Sequence, residues 1–166
     1  MIIDGNMHWL LENLFKDKSL RDSFIDCVPC AYGEYAKLTT IPETGLQQIV
    51  IEKPEGYVNL NYAENQYDSK TQLNDMDEAG VDIAILRIPC WQEWMTLDMC
   101  KIVNDGLAVH VKRHPDRFRA VAVVPPWGTK ESLADLEARW KFYSFALLLV
   151  KGKHTWFLIP GLTTSM

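Results

Sequence analysis

Gln72-Leu73-Asn74-Asp75-Met76-Asp77-Glu78-Ala79-Gly80-Val81-Asp82-Ile83-Ala84-Ile85-Leu86-Arg87-Ile88 is the stretch from which the fold can be read. Asp68 or Ser69 can cap a helix that runs to Ala79, with Leu73 and Met76 on its apolar face. Gly80 ends that helix, because glycine enters the left-handed conformation of a helix terminus without a steric penalty. Val81 to Pro89 then reads as a nearly continuous apolar strand with Arg87 near its end. Such a run is expected to be buried on both faces, as strands of parallel sheets are.

The same alternation continues toward the C-terminus. Thr96 can cap a second helix, and Met99, Val103, Leu107 and Val111 recur at spacing four as its buried stripe. Pro115 stops it, since proline cannot continue the hydrogen-bond ladder. His110 and His114 are expected at the surface of this helix end, where a basic group favours the last turn. Phe118 to Val124 is another apolar strand, ended by Pro125-Pro126. Thr129 caps a third helix with Leu133, Leu136 and Trp140 inward, and Phe145 to Val150 reads as a further strand. Helices and strands that alternate imply right-handed βαβ units. Two closures stay open on periodicity alone: a doubly wound open sheet or a barrel.

Toward the N-terminus, Met1 to Ile3 and Asp4-Gly5-Asn6-Met7-His8 fit a strand with a polar end. Residues 10–45 look irregular, with short helical pieces at Leu10 to Phe15 and Ser19 to Cys27. Gln47 to Glu52 and Tyr57 to Asn61 are two β-rich runs joined by Lys53-Pro54-Glu55-Gly56, a hairpin signal. The irregular part and hairpin together form an insertion over about residues 10–67.

The chain has 166 residues, 48% of them hydrophobic, and a formal net charge of −5. That is enough for one domain with a sizeable core. The acidic balance argues against a nucleic-acid partner. No stretch is apolar enough to span a bilayer and the N-terminus lacks signal-peptide character, so a cytoplasmic location and reduced cysteines are expected.

Three blocks carry a resemblance. Ile2-Ile3-Asp4-Gly5-Asn6-Met7-His8-Trp9-Leu10 is similar to the first strand of amidohydrolase-related enzymes, a group that includes aminocarboxymuconate-semialdehyde decarboxylase and the resorcylate-type decarboxylases. Leu73 to Asp82 resembles their first helix and second strand. Val103-Asn104-Asp105-Gly106-Leu107 followed by His114-Pro115-Asp116-Arg117-Phe118-Arg119 resembles the next helix and strand. The likeness covers about residues 1–140. It implies a partial (β/α)8 TIM barrel, about the first four βα units with the hairpin insertion, over residues 1–150. Residues 151–166 form a divergent tail.

The resemblance also implies chemistry. Alternate residues of a strand point the same way, so Asn6 and His8 could grip one divalent ion, Zn or Mn, at the strand's C-terminal end. The family usually has His or Glu where Asn6 stands, and a neutral amide is a poor ligand for a zinc-like ion. Arg87, Trp91 and Trp127 follow strand ends and are expected to face a small carboxylated substrate, with Arg87 as a two-pronged carboxylate partner. The parent activity is decarboxylation or hydrolysis. Asp4 is expected to be a hydrogen-bonded strand residue. Cys27-Val28-Pro29-Cys30 lies in the insertion without a second pair or a redox context, so no catalytic role is expected for it.

The match ends near Trp140, and a full barrel of this type runs to about 250 residues. The expectation is therefore an N-terminal half that is inactive by itself, with self-association through open sheet edges. Two other readings compete with a truncated enzyme: a non-catalytic fragment or half-barrel interaction module, and a small open α/β binding domain.

Overall fold

The computed structural model describes residues 1–28, 35–52, 56, 59–88, 95–125, 129–132, 134 and 145–148. Their elements run β1 (Ile3–His8), α1 (Asn13–Lys16), α2 (Lys18–Ile25), β2 (Tyr35–Thr40), β3 (Gln47–Glu52), β4 (Leu60–Ala63), α3 (Ser69–Ala79), β5 (Ile83–Arg87), α4 (Leu97–Arg113), β6 (Phe118–Ala122) and β7 (Phe145–Leu148). Among the described residues the fold is α/β with two sheets. One has the order β1-β5-β6-β7 and is parallel throughout; the other is antiparallel, β2-β3-β4. Neither sheet closes on itself among the described residues. Each strand of the parallel sheet lies beside the one before it, without the reversal of order that marks a doubly wound sheet.

Local chemistry explains where the helices begin and end. The Asp68 side chain accepts from the backbone N–H of Lys70 and Thr71 at the start of α3, and Gly80 closes it at φ +69°. Thr96 Oγ1 accepts from Met99 N at 3.2 Å to start α4, and its stripe Met99, Val103, Leu107 and Val111 is buried as expected. Thr129 likewise accepts from Ser132 N; Leu133, Leu136 and Trp140 lie outside the described residues. In α3 the buried residues are Gln72 and Met76, whereas Leu73 is only half-buried.

Four expectations are corrected. The region before the hairpin holds a strand, β2, which pairs with β3 from Tyr35↔Glu52 to Thr40↔Gln47. The hairpin itself joins β3 to Leu60–Ala63, with Ile51 opposite Leu60. The central strands are not buried on both faces. Ala84, Leu86, Phe118, Ala120 and Ala122 are buried, while their alternates Ile83, Ile85, Arg87, Arg119 and Val121 are half-buried. Helices cover one face, and the other is partly open. Finally, His110 is not a surface residue. It is 6% exposed, with its ring 5.0 Å from Phe118 and 5.9 Å from Trp9 between centroids.

The core joins the sheet's covered face to α4 and to the segment after β1, through Trp9, Leu10, Leu14 and Phe15. Gly106 sits where that segment meets α4. A Cβ there would lie 2.6 Å from Leu11 Cδ1 and 2.9 Å from Trp9 Cη2. Trp9 is buried and cannot swing away, so glycine is required by the contact.

Gly106→Ala is therefore expected to lose more to overpacking than the roughly 1 kcal/mol it gains in helix propensity. The net change should be a destabilisation of about 1 kcal/mol by urea unfolding; a rise in stability would contradict the contact. His110 gives a pH dependence. Burial first, then the charges of Arg113 and His114, lower its pKa from 6.5 to about 4, against a small opposing pull from Asp68. The unfolded chain then binds more protons than the folded one, so this contribution is present above pH 6.5 and is lost as pH falls toward 4. The loss should approach about 3 kcal/mol and disappear in His110→Phe, as read from urea midpoints across that pH range.

Candidate functional site

Parallel pairing sets the site. His8 closes β1, Arg87 closes β5, and the two are register partners at the same end of the sheet. The ladder continues one step further, with Trp9 N donating to Arg87 O at 2.8 Å. Arg87 belongs to the partly open face, and His8 opposite it is exposed. The next residue, Trp9, is buried at 3% exposure, because successive strand residues take opposite faces. One peptide thus separates an imidazole on the open side from an indole in the core.

The electrostatics of the pair are asymmetric. Partial burial and then the Arg87 guanidinium hold the His8 pKa below the ordinary histidine value, against an opposing pull from Asp4. The shift favours the neutral imidazole, the form that offers a lone pair to a metal or a proton. Among the described residues no carboxylate forms a salt bridge with Arg87. Arg119, the register partner of Ile85 on β6, turns to backbone, donating to Phe118 O and Pro115 O.

Asn6 is placed differently from the two-residue alternation expected for it. The β1–β5 register shifts between Asp4, opposite Ala84, and Met7, opposite Leu86. This is a β-bulge, and it puts Asp4 and His8 on opposite faces although they stand four residues apart. Asp4 Oδ1 accepts the Asn6 N–H at 2.8 Å and so stabilises the bulge, in keeping with its expected structural role. Asn6 is exposed. Among the described residues no group of three His, Cys, Asp or Glu side chains is disposed to hold a metal ion. Trp91 and Trp127 lie outside the described residues, as do Cys30 and Cys90. The Cys27 thiol donates to Ser23 O at 3.3 Å within its own helical turn.

Two amides that the sequence reading passed over hold the strand ends. Gln72, buried in α3, donates through Nε2 to His8 O at 2.9 Å. Asn104, buried in α4, donates through Nδ2 to Val123 O and accepts Val123 N–H at Oδ1, both at 2.8 Å. The second pair fixes the backbone just beyond β6 on the same helix layer. A signal for both exists in the sequence: each is an uncharged polar residue inside an apolar stripe, Gln72 before Met76 and Asn104 between Cys100 and Leu107.

No protein-family model matches the chain. The Asn104 lock has a measurable cost. Asn104→Ala leaves a buried N–H and a buried C=O of Val123 without partners, at about 1–3 kcal/mol each before relaxation. A net loss of about 3 kcal/mol is expected in urea unfolding, with fast hydrogen exchange at the Val123 amide as its local signature. A neutral substitution would show that the loop beyond β6 is held by something else.

Proposed function

We propose that the chain is built as an amidohydrolase-related barrel segment that binds a small carboxylated substrate at the C-terminal ends of β1 and β5. The parent chemistry is metal-assisted decarboxylation or hydrolysis. The observation that carries this reading is the register partnership of His8 and Arg87 at one end of a parallel sheet. Sequential strand order, with no reversal, is what the first units of a (β/α)8 barrel have, and in such barrels this end carries the active site.

In this reading Arg87 holds the substrate carboxylate through its fork of N–H donors. His8, beside it and in its neutral form, accepts a proton or offers a nitrogen to Zn or Mn. Bound, such a metal would polarise a carboxylate or carbonyl oxygen. The fit to a metal is incomplete. Catalytic zinc sites use three protein ligands, and the described residues bring one imidazole and one bulge-held amide. The chemistry assigned to these residues is therefore substrate binding and proton handling.

A second reading, a half-barrel that associates with itself, draws on the edge of β1. Met1, Ile2 and Ile3 are 90%, 58% and 50% exposed, an apolar run beside a strand whose one partner among the described strands is β5. Exposed apolar edges of this kind favour association.

One titration separates the readings. Salicylate, a small aromatic carboxylate, is added to the 15N-labelled chain with and without Zn. The enzyme-like reading expects saturable shifts at Arg87 and His8, weakened by about tenfold or more in Arg87→Gln, since loss of a charged hydrogen bond costs on the order of 1.5–3 kcal/mol. His8→Ala should abolish any effect of Zn on binding while leaving Arg87 contacts in place. Salicylate that binds wild type and Arg87→Gln equally would overturn the reading. Dimers that disperse on Ile3→Lys would support the second.

A further inference from the structure

The peptide between His8 and Trp9 is held on both of its polar atoms. The carbonyl and the N–H of a trans peptide point in opposite directions. The N–H, that of Trp9, donates to Arg87 O at 2.8 Å and ties the peptide to β5. The carbonyl, that of His8, therefore points away from β5, to the side on which β1 has no partner among the described strands. There it accepts from Gln72 Nε2 at 2.9 Å, a residue 64 positions along the chain. A strand bonded along one edge only can hinge about that edge, and its side chains swing with it. A tie on the opposite side, at the last residue of β1, removes that freedom.

Gln72 stands in the first turn of α3, 3% exposed, on the same side of the helix as Met76. A carbonyl can only accept, so the amide turns Nε2 to His8. Its Oε1 is then left buried without a hydrogen-bond partner. Buried polar atoms are almost always satisfied, and an apolar side chain of the same shape would carry no such penalty. Asn104 gives the contrast, since its amide answers Val123 with both atoms. Gln72 makes one bond, and that bond ends on the residue whose register partner is Arg87. Side chains that act on a ligand keep their geometry through such supporting hydrogen bonds. We infer that Gln72 is a positioning residue, which fixes the end of β1 so that the His8 side chain stays on the open face beside Arg87. The inference rests on the reading of that pair as the substrate site.

The test compares wild type, Gln72→Met and Arg117→Ala as full 13C,15N-labelled chains. Methionine is close to glutamine in size and lacks the donor. Arg117 bonds Asp77, Val81 O and Asp82 O, so its loss loosens α3 against the sheet at the far end of the same helix. In Gln72→Met the His8 carbonyl carbon should move upfield. The residual dipolar couplings of His8 Cα–Hα and Trp9 N–H should leave their wild-type values while those of β6 keep them. Salicylate should bind about tenfold more weakly, the weight of one well-made hydrogen bond. Arg117→Ala should change neither the couplings at His8 and Trp9 nor the salicylate affinity. Couplings that stay in place in folded Gln72→Met would overturn the inference, as would couplings that move as far in Arg117→Ala. So would an unaltered salicylate affinity in Gln72→Met. If wild type binds no salicylate, the substrate reading fails, and the couplings still decide what Gln72 does. Should Gln72→Met not fold, Gln72→Asn, one methylene too short to reach the carbonyl, carries the same expectations. A wild-type Gln72 side-chain amide that exchanges with water as fast as that of exposed Gln66 would overturn the bond itself.

Discussion

Everything else in the molecule hangs on the pairing of β1 with β5. Parallel strands cannot be joined by a tight turn, so their hydrogen bonds form only after a long crossover has folded back. Here the crossover carries α1, α2, an entire antiparallel sheet and α3. The pairing then fixes three things at once. It sets His8 beside Arg87, it sends Trp9 into the core, and it gives α3 a carbonyl, that of His8, for Gln72 to hold. A slip of one residue would exchange the imidazole and the indole between faces. The fit of Trp9 against Gly106 is what resists that slip, because no other residue type at position 106 leaves room for the ring.

Much of this was legible in the residues, and what was legible was local. Asp68, Gly80 and Thr96 bound their helices through contacts within a turn or so, so their identity is enough to place them. The buried stripe of α4 needs only its own spacing. What escaped depends on distant partners. β2 alternates weakly, with Ala36 and Leu38 its apolar residues, and becomes a strand because β3 offers it a register. His110 looks like a helix-end cation until Trp9 and Phe118, from elsewhere in the chain, close around it. The bulge at Asn6 is invisible in a pattern of types, since it is a shift of count between two strands. The apolar look of β5 and β6 suggested cover on both faces, yet isoleucines at half-exposed positions serve an open face as well.

The candidate site divides along the same line. Arg87 and His8 could be named from strand ends, and the structure brings them together. Asn6 was named from a spacing that the bulge interrupts, and Trp91 and Trp127 lie outside the described residues. Trp9, Glu12 and His110 come to line one groove only because the segments after β1 and before α1 meet α4, and no spacing in the chain announces that. β1 therefore serves two environments. Its open side is arranged around a guanidinium and an imidazole, and its covered side ends in the buried indole of Trp9.

The paired hydrogen bonds between Asn104 and Val123 bear on how the protein ages. Asparagine side chains hydrolyse slowly to aspartate, and the reaction proceeds through attack by the following backbone nitrogen, which needs freedom that a helix denies. Inside α4, with both amide atoms engaged, Asn104 is shielded from that loss. Should the helix open locally and the amide be lost, the new carboxylate could not close the same ring. Its oxygen would replace a donor and face the Val123 carbonyl, acceptor against acceptor, with a charge to bury besides. Reclosure would then be disfavoured, and a single chemical event would be stored as a permanently loosened segment beyond β6. The lock is thus a record of the helix's own openings as well as a tie.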